Sequence, residues 1–417
     1  MAGNKTEIAV IGAGPYGLSV ASHLRAEGLD TRVFGFPMQT WRESMPVGMK
    51  LKSEGFASWL SDPTNELTLK AYCASSGIPY ADTGLPVNVA TFIAYGEAFQ
   101  RRFIPDLEAK MVVSVEPISD GFELKLEDDE LLFARHVVVA SGIRSFDYIP
   151  PELQSLPCEF LTHSAAYGDA THLSGRDVIV VGAGASAMDI VALLQTRGAK
   201  PTVLARRQTI PFQSPLGDRS LYEKITAPMT PLGPSWKSLL CVKAPLVFHA
   251  MPEAFRVDVV RRYLGPAPAW FLREQIEGRV PYVTGSSIVS ATTKASRVSV
   301  VARDTEGRTK EISADHVVAA TGYRVDVDRL TFLGTRIRTT LRRAAGAPAL
   351  SRYFESSLPG LYFVGTAAAN SFGPMMRFAC GSEFTARRLA RHLAARVKKQ
   401  IAFGKISPNV GVERQLQ

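Results

Sequence analysis

Two strand–glycine turn–helix units and a repeated strand-to-glycine ending predict an α/β fold of two Rossmann-like dinucleotide-binding domains, the second inserted into the first. The first unit runs Glu7-Ile-Ala-Val-Ile11, GAGPYG, LSVASHLRAEG, TRVFGF, and the second runs Asp177-Val-Ile-Val-Val181, GAGASA, MDIVALLQTRG, PTVLARR. Their first glycines, Gly12 and Gly182, lie 170 residues apart. Apolar runs of strand length alternating with helical spacing describe a parallel sheet covered on both faces. The expected boundaries are 1–155 and 316–417 for the outer domain and 156–315 for the inserted one, with chain crossings near 145–160 and 315–325.

Between the units, Met111–Val115, Phe122–Leu126 and Leu131–Ala134 read as the short strands of a meander, and His136–Gly142 as a buried strand ending at glycine. After the second unit, Arg297–Ala302 and Thr309–Ser313 are strand-like, and His316-Val-Val-Ala-Ala-Thr-Gly322 repeats the ending. Residues 225–281 carry Pro228, Pro231, Pro234, Pro245, Pro252, Pro266, Pro268 and Pro281, which break any long regular element. An irregular helical insertion at about 208–281, a candidate lid, is expected there. The last helix is expected over Phe378–Ala394.

Composition narrows the class. In 417 residues, 46% are hydrophobic and 21% charged, which suits a globular chain rather than a disordered one. Cys73, Cys158, Cys241 and Cys380 show no CxxC or CxH spacing, so no disulfide framework, metal site or dithiol centre is expected. The strand pattern begins within a few residues of Met1, leaving no room for a signal peptide, and the longest uncharged run, Ser356–Met376, is broken by glycine, asparagine and proline. A cytoplasmic protein without membrane partner is the expectation. The net charge of +9 divides into −6 over residues 1–150 and +15 over the rest. With no nucleic-acid module present, that asymmetry is read as attraction of an anionic cosubstrate, not of nucleic acid. The basic run Arg387, Arg388, Arg391, Arg396, Lys398, Lys399 reads as a solvated helix face. Oligomeric state stays open.

Gly12, Gly14 and Gly17 stand at GxGxxG spacing, with Pro15 and Tyr16 between them. The first glycine permits the tight turn, the second lets backbone approach a pyrophosphate, and the third lets helix pack on strand. The helix N-terminus then presents N–H donors and a favourable dipole to the phosphates. The acid expected some twenty residues on to hold a ribose is replaced by Gly35. In the second unit Gly182, Gly184, Ala185, Ser186 and Ala187 form a GxGxxA variant, and Arg206 and Arg207 end the next strand. Arginine there suits a 2′-phosphate, so NADPH is favoured over NADH; two solvated arginines are the plainer alternative. One bound and one exchangeable dinucleotide imply hydride transfer from nicotinamide to flavin, chemistry that belongs to the cofactors.

The order GAGPYG, Trp41-Arg42, GAGASA with its arginines, and Ala320-Thr321-Gly322-Tyr323 resembles the single-component, class B flavin-dependent monooxygenases, which include flavin-containing and Baeyer–Villiger monooxygenases and amine N-hydroxylases. The resemblance implies FAD in the first site, NADPH in the second, and O2 captured as a flavin C4a-hydroperoxide that oxidises a small-molecule substrate. Phe160-Leu-Thr-His163-Ser164-Ala-Ala-Tyr167 is similar to the latter half of an FxGxxxHxxxW-type fingerprint, and Pro359–Gly365 to the terminal flavin-contacting strand and turn. The leading FxG is absent, which disfavours Baeyer–Villiger chemistry, and Thr366 stands where an aspartate is usual. N- or S-oxidation or hydroxylation is therefore the expected reaction, with a reductase or oxidase without oxygen transfer, or a non-catalytic flavin-bound protein, as alternatives.

Lys52, Ser53, His163 and Arg377 are the candidate catalytic residues. Lys52 and Ser53 would line the oxygen-reactive face of the flavin, or Lys52 would simply face solvent. His163 would position the NADPH domain, or bond local backbone at the junction; both readings stay open. Arg377, with Gly373, Asn370 and Ser371 near the last helix, would assist an anionic flavin or bind an acidic substrate, or form a structural salt bridge. Trp236, Phe248, Trp270 and Phe271 are candidate pocket walls, and Asp189 reads as favouring the first turns of its helix.

Overall fold

The computed structural model describes residues 4–402, apart from positions 167, 168, 216, 218, 264, 266 and 295. Tyr167, the last residue of the fingerprint-like stretch, and Pro266 thus lie outside the described residues. The outer domain is built on β1 (Lys5–Ile11), β2 (Thr31–Phe34), β3 (Val112–Ile118), β4 (Gly121–Leu126) and β5 (Leu131–Val139). The inserted domain holds β6 (Leu161–His163), β7 (Asp177–Val181), β8 (Lys200–Leu204), β9 (Tyr282–Val283), a meander of β10 (Ser286–Lys294), β11 (Arg297–Asp304) and β12 (Thr309–Ala314), and then β13 (His316–Ala319). A small hairpin, β14 (Arg343–Ala344) and β15 (Ala347–Pro348), precedes β16 (Leu361–Phe363), which returns to the outer sheet.

The two halves repeat one plan. In the outer domain β2, β1, β5 and β16 lie side by side and parallel, and β4 and β3 extend the sheet antiparallel. In the inserted domain the parallel order is β6-β13-β7-β8-β9, with the meander as a separate three-stranded sheet. The meander's buried Val298, Val300 and Ala302 pack under Ile179 and Val181. Central strands are apolar on both faces, as Ile8–Val10 and Val178–Val180 show, because both faces are covered, in the inserted domain by helices on one side and the meander on the other.

Three local differences from expectation have physical causes. Leu131–Ala134 and His136–Val139 form one strand, not two: its first half pairs with β4, its second with β16. Arg135 interrupts the apolar pattern but its charge is met at the surface by Glu7 and Asp120, at 3.4 and 3.3 Å. The strand 316–319 belongs to the inserted sheet, between β6 and β7, so the return crossing follows residue 319 and the boundary expected at 316 is too early. Strands β6 and β9 are too short, and β10 too rich in Ser and Thr, to show an apolar run of strand length in sequence.

The helices are α1 (Pro15–Ala26), α2 (Gln39–Glu43), α3 (Leu69–Ser75), α4 (Val89–Phe103), α5 (Ala185–Thr196), then the insertion's α6 (Leu221–Thr226), α7 (Trp236–Lys243), α8 (Pro245–Ala250), α9 (Glu253–Arg262) and α10 (Arg273–Ile276), and finally α11 (Thr335–Thr340), α12 (Ala369–Phe372) and α13 (Gly381–Ala402). Asn88 caps α4 and Thr68 caps α3, each accepting a backbone N–H, and Ser220 and Glu223 form a capping box on α6. The insertion does not rest on its own domain alone. Leu232 and Cys241 join the core of the outer domain, and Phe248 lies against Gly373. The last helix starts at Gly381 rather than at 378: Tyr16 Oη donates to the Phe378 carbonyl at 2.9 Å, and a Cβ at 381 would sit 2.2 Å from that hydroxyl.

The glycines of the two turns do different work. A Cβ at Gly17 would lie 1.8 Å from the Gly12 carbonyl oxygen, whereas one at Gly14 meets nothing within 4 Å. Gly17→Val should therefore lose about 3 kcal/mol through overpacking, while Gly14→Val keeps the melting temperature of the parent stripped of any bound ligand; thermal melts of both variants against the stripped parent check both statements.

Candidate functional site

The two glycine turns share one geometry, and Ser186 of the second reaches the cleft between the domains. Each starts with a left-handed glycine, Gly12 at φ +116° and Gly182 at φ +138°, pressed onto the strand end beside it. Gly14 and Gly184 are the residues before α1 and α5, both extended, and neither helix has a side-chain cap or an acid in its first turn. The first-turn N–H groups therefore point into open space where an anion is favoured. A dinucleotide pyrophosphate fits that arrangement at each turn, and at the first the room beside Gly14 is directly visible. Pro15 occupies the first helical position, where no N–H is required.

Gly35 explains the missing ribose acid. Its φ is +122° and a Cβ would stand 3.4 Å from the Ala13 nitrogen, so any acid there would be strained. Glu108, bridged beside Phe34, cannot take the role unaided, since Arg32 holds its carboxylate with bonds of 2.6 and 2.7 Å. Trp41 and Arg42 lie on α2; Trp41 meets Phe92 edge-on at 4.7 Å, and Arg42 donates to the Pro37 carbonyl and faces Glu97 at 3.6 Å. At the other nucleotide turn, Arg206 and Arg207 follow β8, are exposed, and make no ion pair among the described residues. They can reach a phosphate without first breaking a bond.

Between the domains lies a cavity of about 210 Å³. Trp41, Met45, Met49, Lys50, Lys52, Ser53, Tyr323, Arg377 and Phe378 line it from the outer domain, and Ser164, Ser186, Asp189 and Ile190 from the inserted one. Lys52, Ser53 and Arg377 are thus brought together. Lys52 is not solvent-facing: its ammonium pairs with the Asp189 carboxylate, whose side chain is only 5% exposed. Burial pushes the Asp189 pKa up, and the adjacent ammonium pulls the other way. Asp189 is therefore not a helix-start device but half of an ion pair that joins the two domains. The pairing of residues 137 apart had no local signal in sequence.

His163 sits at the junction, with both ring nitrogens engaged. Nδ1 accepts from the Ala165 N–H at 3.1 Å and Nε2 donates to the Gly322 carbonyl at 3.1 Å. Burial lowers its pKa, which matches the neutral form this pattern requires. Its ring meets Tyr323 edge-on at 5.3 Å, so it orders the crossing strand rather than reaching the cavity. Thr321 donates to the Tyr148 carbonyl, tying the same crossing from the other side. Gly365 cradles the Tyr16 ring, 3.3 Å from where its Cβ would be, with Thr366 next to it, and Gly373 makes room for Phe248. Arg377 donates to the Tyr263 carbonyl at 2.9 Å. Asn370 donates to the Ala344 carbonyl at 2.8 Å and faces away from the cavity. Trp236, Phe248, Trp270 and Phe271 do not line the cleft: Trp236 is exposed, Phe248 is buried against Gly373, and Trp270 and Phe271 pack on each other at 5.6 Å. Among the described residues no cluster is arranged to hold a metal, and no helix is long and apolar enough to cross a membrane.

Comparison with known proteins agrees with this geometry. Residues 6–224, more than half of the chain, match the model of the pyridine nucleotide-disulphide oxidoreductase family. An indole-3-pyruvate monooxygenase of Oryza sativa subsp. japonica is 27% identical over 212 residues, a match spanning 47% of each chain. A probable indole-3-pyruvate monooxygenase of Arabidopsis thaliana is 25% identical over 357 residues, 80% of this chain and 75% of that one. The ornithine N-hydroxylase of Kutzneria sp. 744, solved with reduced FAD, NADP+ and L-ornithine, shares the fold at TM-score 0.73 and 16% identity, over 94% of this chain and 100% of that one. With two nucleotide turns in the fold and no cysteine among the residues that line the cavity, the chain belongs to the pyridine nucleotide-disulphide oxidoreductase family, and its features fit that family's flavin-dependent monooxygenases.

Proposed function

We propose that the chain is an FAD- and NADPH-dependent monooxygenase that inserts one atom of O2 into a small molecule, by N- or S-oxidation or hydroxylation rather than Baeyer–Villiger insertion. The observation that carries this reading is the cavity shared by residues of both nucleotide-binding halves, with Ser186 of the second turn opposite Lys52 and Ser53 of the first domain. FAD at the first turn supplies oxygen activation when reduced. The chain's own residues bind and orient the two dinucleotides through the helix N-termini after Gly14 and Gly184, and Arg206 and Arg207 grip the 2′-phosphate. Trp41, Met45, Met49, Ile190 and Phe378 keep water from the reacting atoms. Lys52 and Ser53 hold donors at the cavity wall.

Lys50 and Arg377 add cationic groups to these apolar walls. Such a lining suits a substrate with an apolar body and an anionic group, and the indole-3-pyruvate named for the relatives has both. Four free cysteines suit the reducing cytoplasm.

Incubation of the FAD-loaded protein with NADPH and 18O2 against small aromatic 2-oxo acids, amines and sulfides should yield a product labelled in one oxygen. Stoichiometric H2O2 with every compound would make it a reductase or oxidase instead. Gly14→Val should fold and purify colourless. Arg206→Ala with Arg207→Ala should raise the KM for NADPH about tenfold or more, as loss of charge-assisted bonds implies, and leave that for NADH within about twofold; equal effects would refute the phosphate role. Lys52→Met leaves Asp189 buried without its cation. A carboxyl with a raised folded pKa binds its proton more tightly in the native state, so stability falls as pH rises through that pKa. Lys52→Met should accordingly melt near the parent at low pH but lose about 3 kcal/mol at pH 8, and the added change Asp189→Asn should restore most of it.

A further inference from the structure

We propose that the insertion and the last helix build a second anion site, outside the cleft, for a phosphate-type dianion. Four nitrogen-bearing side chains converge there from four segments: His249 of α8, Arg256 of α9, Arg352 of the loop before β16, and Arg388 of α13. His249 Nδ1 and Arg256 Nη1 both donate to the Ser371 carbonyl, at 3.2 and 3.3 Å. The His249 ring stacks on Phe372 at 4.9 Å, and Phe372 stacks on Phe354 at 4.1 Å. The neighbouring Tyr353 ring carries the Arg388 and Arg352 guanidiniums at 4.7 and 5.5 Å from its centroid, and Arg388 also donates to the Arg352 carbonyl. Two neighbouring aromatic groups thus hold three of the four: Phe372 and Phe354 against His249, and Tyr353, stacked on His392 at 4.2 Å, against Arg352 and Arg388, while Arg256 is held by the Ser371 carbonyl.

Among the described residues the cluster has no counter-charge of its own. Nearby acids are engaged elsewhere: Glu383 with Arg387 at 3.0 Å, Glu355 with Arg396 at 2.5 Å, and Asp258 with Arg262 at 2.7 Å. Glu253 acts on Arg256 through space and forms no ion pair with it among the described residues. Arg256 Nε is buried and has no hydrogen-bond partner among the described residues. Burial, then the fields of Arg256, Arg388 and Arg352, hold His249 below its ordinary pKa. Three guanidiniums acting on one imidazole repel one another until an anion sits among them. Planar guanidinium forks approaching from different segments match a ligand with several oxygens better than a single carboxylate. The same ligand would tie α8 and α9 to α12 and α13, steadying the insertion beside the 374–377 turn that carries Arg377 to the cleft wall. The site does not depend on the reaction proposed above.

The test uses the FAD-loaded protein saturated with NADP+ in chloride buffer, so that both nucleotide sites are filled. Inorganic phosphate is titrated by calorimetry, and phosphatidylcholine vesicles containing phosphatidic acid are tested by co-sedimentation. Saturable phosphate binding is expected, weakened about tenfold or more in Arg352→Gln with Arg388→Gln and unchanged in Arg206→Ala with Arg207→Ala. Vesicle binding alone, lost in the same cluster variant, supports the site with a lipid headgroup as source. Equal binding by parent and cluster variant, or no binding of either probe, overturns it. Arg352→Gln alone, at an exposed position, serves if the double variant does not fold.

Discussion

Everything in this molecule hangs on two backbone contacts too close for a side chain. A Cβ at Gly12 would lie 2.3 Å from the Ala140 carbonyl oxygen, and one at Gly182 would lie 2.4 Å from that of Ala320. In each half the first glycine of the turn is pressed onto the end of the neighbouring central strand. That contact aims the following helix N-terminus out of the sheet edge, and residues of both domains line the cavity between them. The two halves repeat the device because they repeat the strand plan: β16-β5-β1-β2 in one, β6-β13-β7-β8 in the other.

The halves are held in register by a few polar contacts at the crossing. Lys52 and Asp189 pair across the cleft, while His163 and Thr321 fix the strand that carries the chain back to the outer domain. Removing a lysine and an aspartate from water is costly unless each satisfies the other, so the pair favours one domain arrangement over a loosely hinged one. It also lets the cleft wall be polar without carrying net charge at that point. The charged wall of the cleft is internally neutralised at Lys52, and Lys50 and Arg377 add further cations to it.

The insertion has a structural role wider than that of a cover. By contributing Leu232 and Cys241 to the outer core and leaning His249 and Arg256 on Ser371, it braces the segment that leads into α13. The excess of positive charge downstream of residue 150 is partly spent here, at a junction where arginines outnumber the acids free to meet them. The basic run of α13 is correspondingly not one solvated face: Arg396 is bonded to Glu355 and Tyr362, and Arg388 lies over Tyr353.

The sequence by itself determined the fold class, both nucleotide turns and the nesting of one domain in the other. These follow from local rules: the apolar run of a buried strand, the glycines its turn requires, and the helix that comes next are all adjacent in the chain. The strand β13 was legible as a strand but not as a member of the inserted sheet, because sheet membership is a pairing between residues far apart. Lys52 and Asp189 were each visible, yet only folding could show them as partners, and the same holds for Arg256, Arg352 and Arg388. Tertiary structure alone decided these because an ion pair or a charge cluster is set by which surfaces the packed sheets bring together. No residue's immediate neighbours record that outcome.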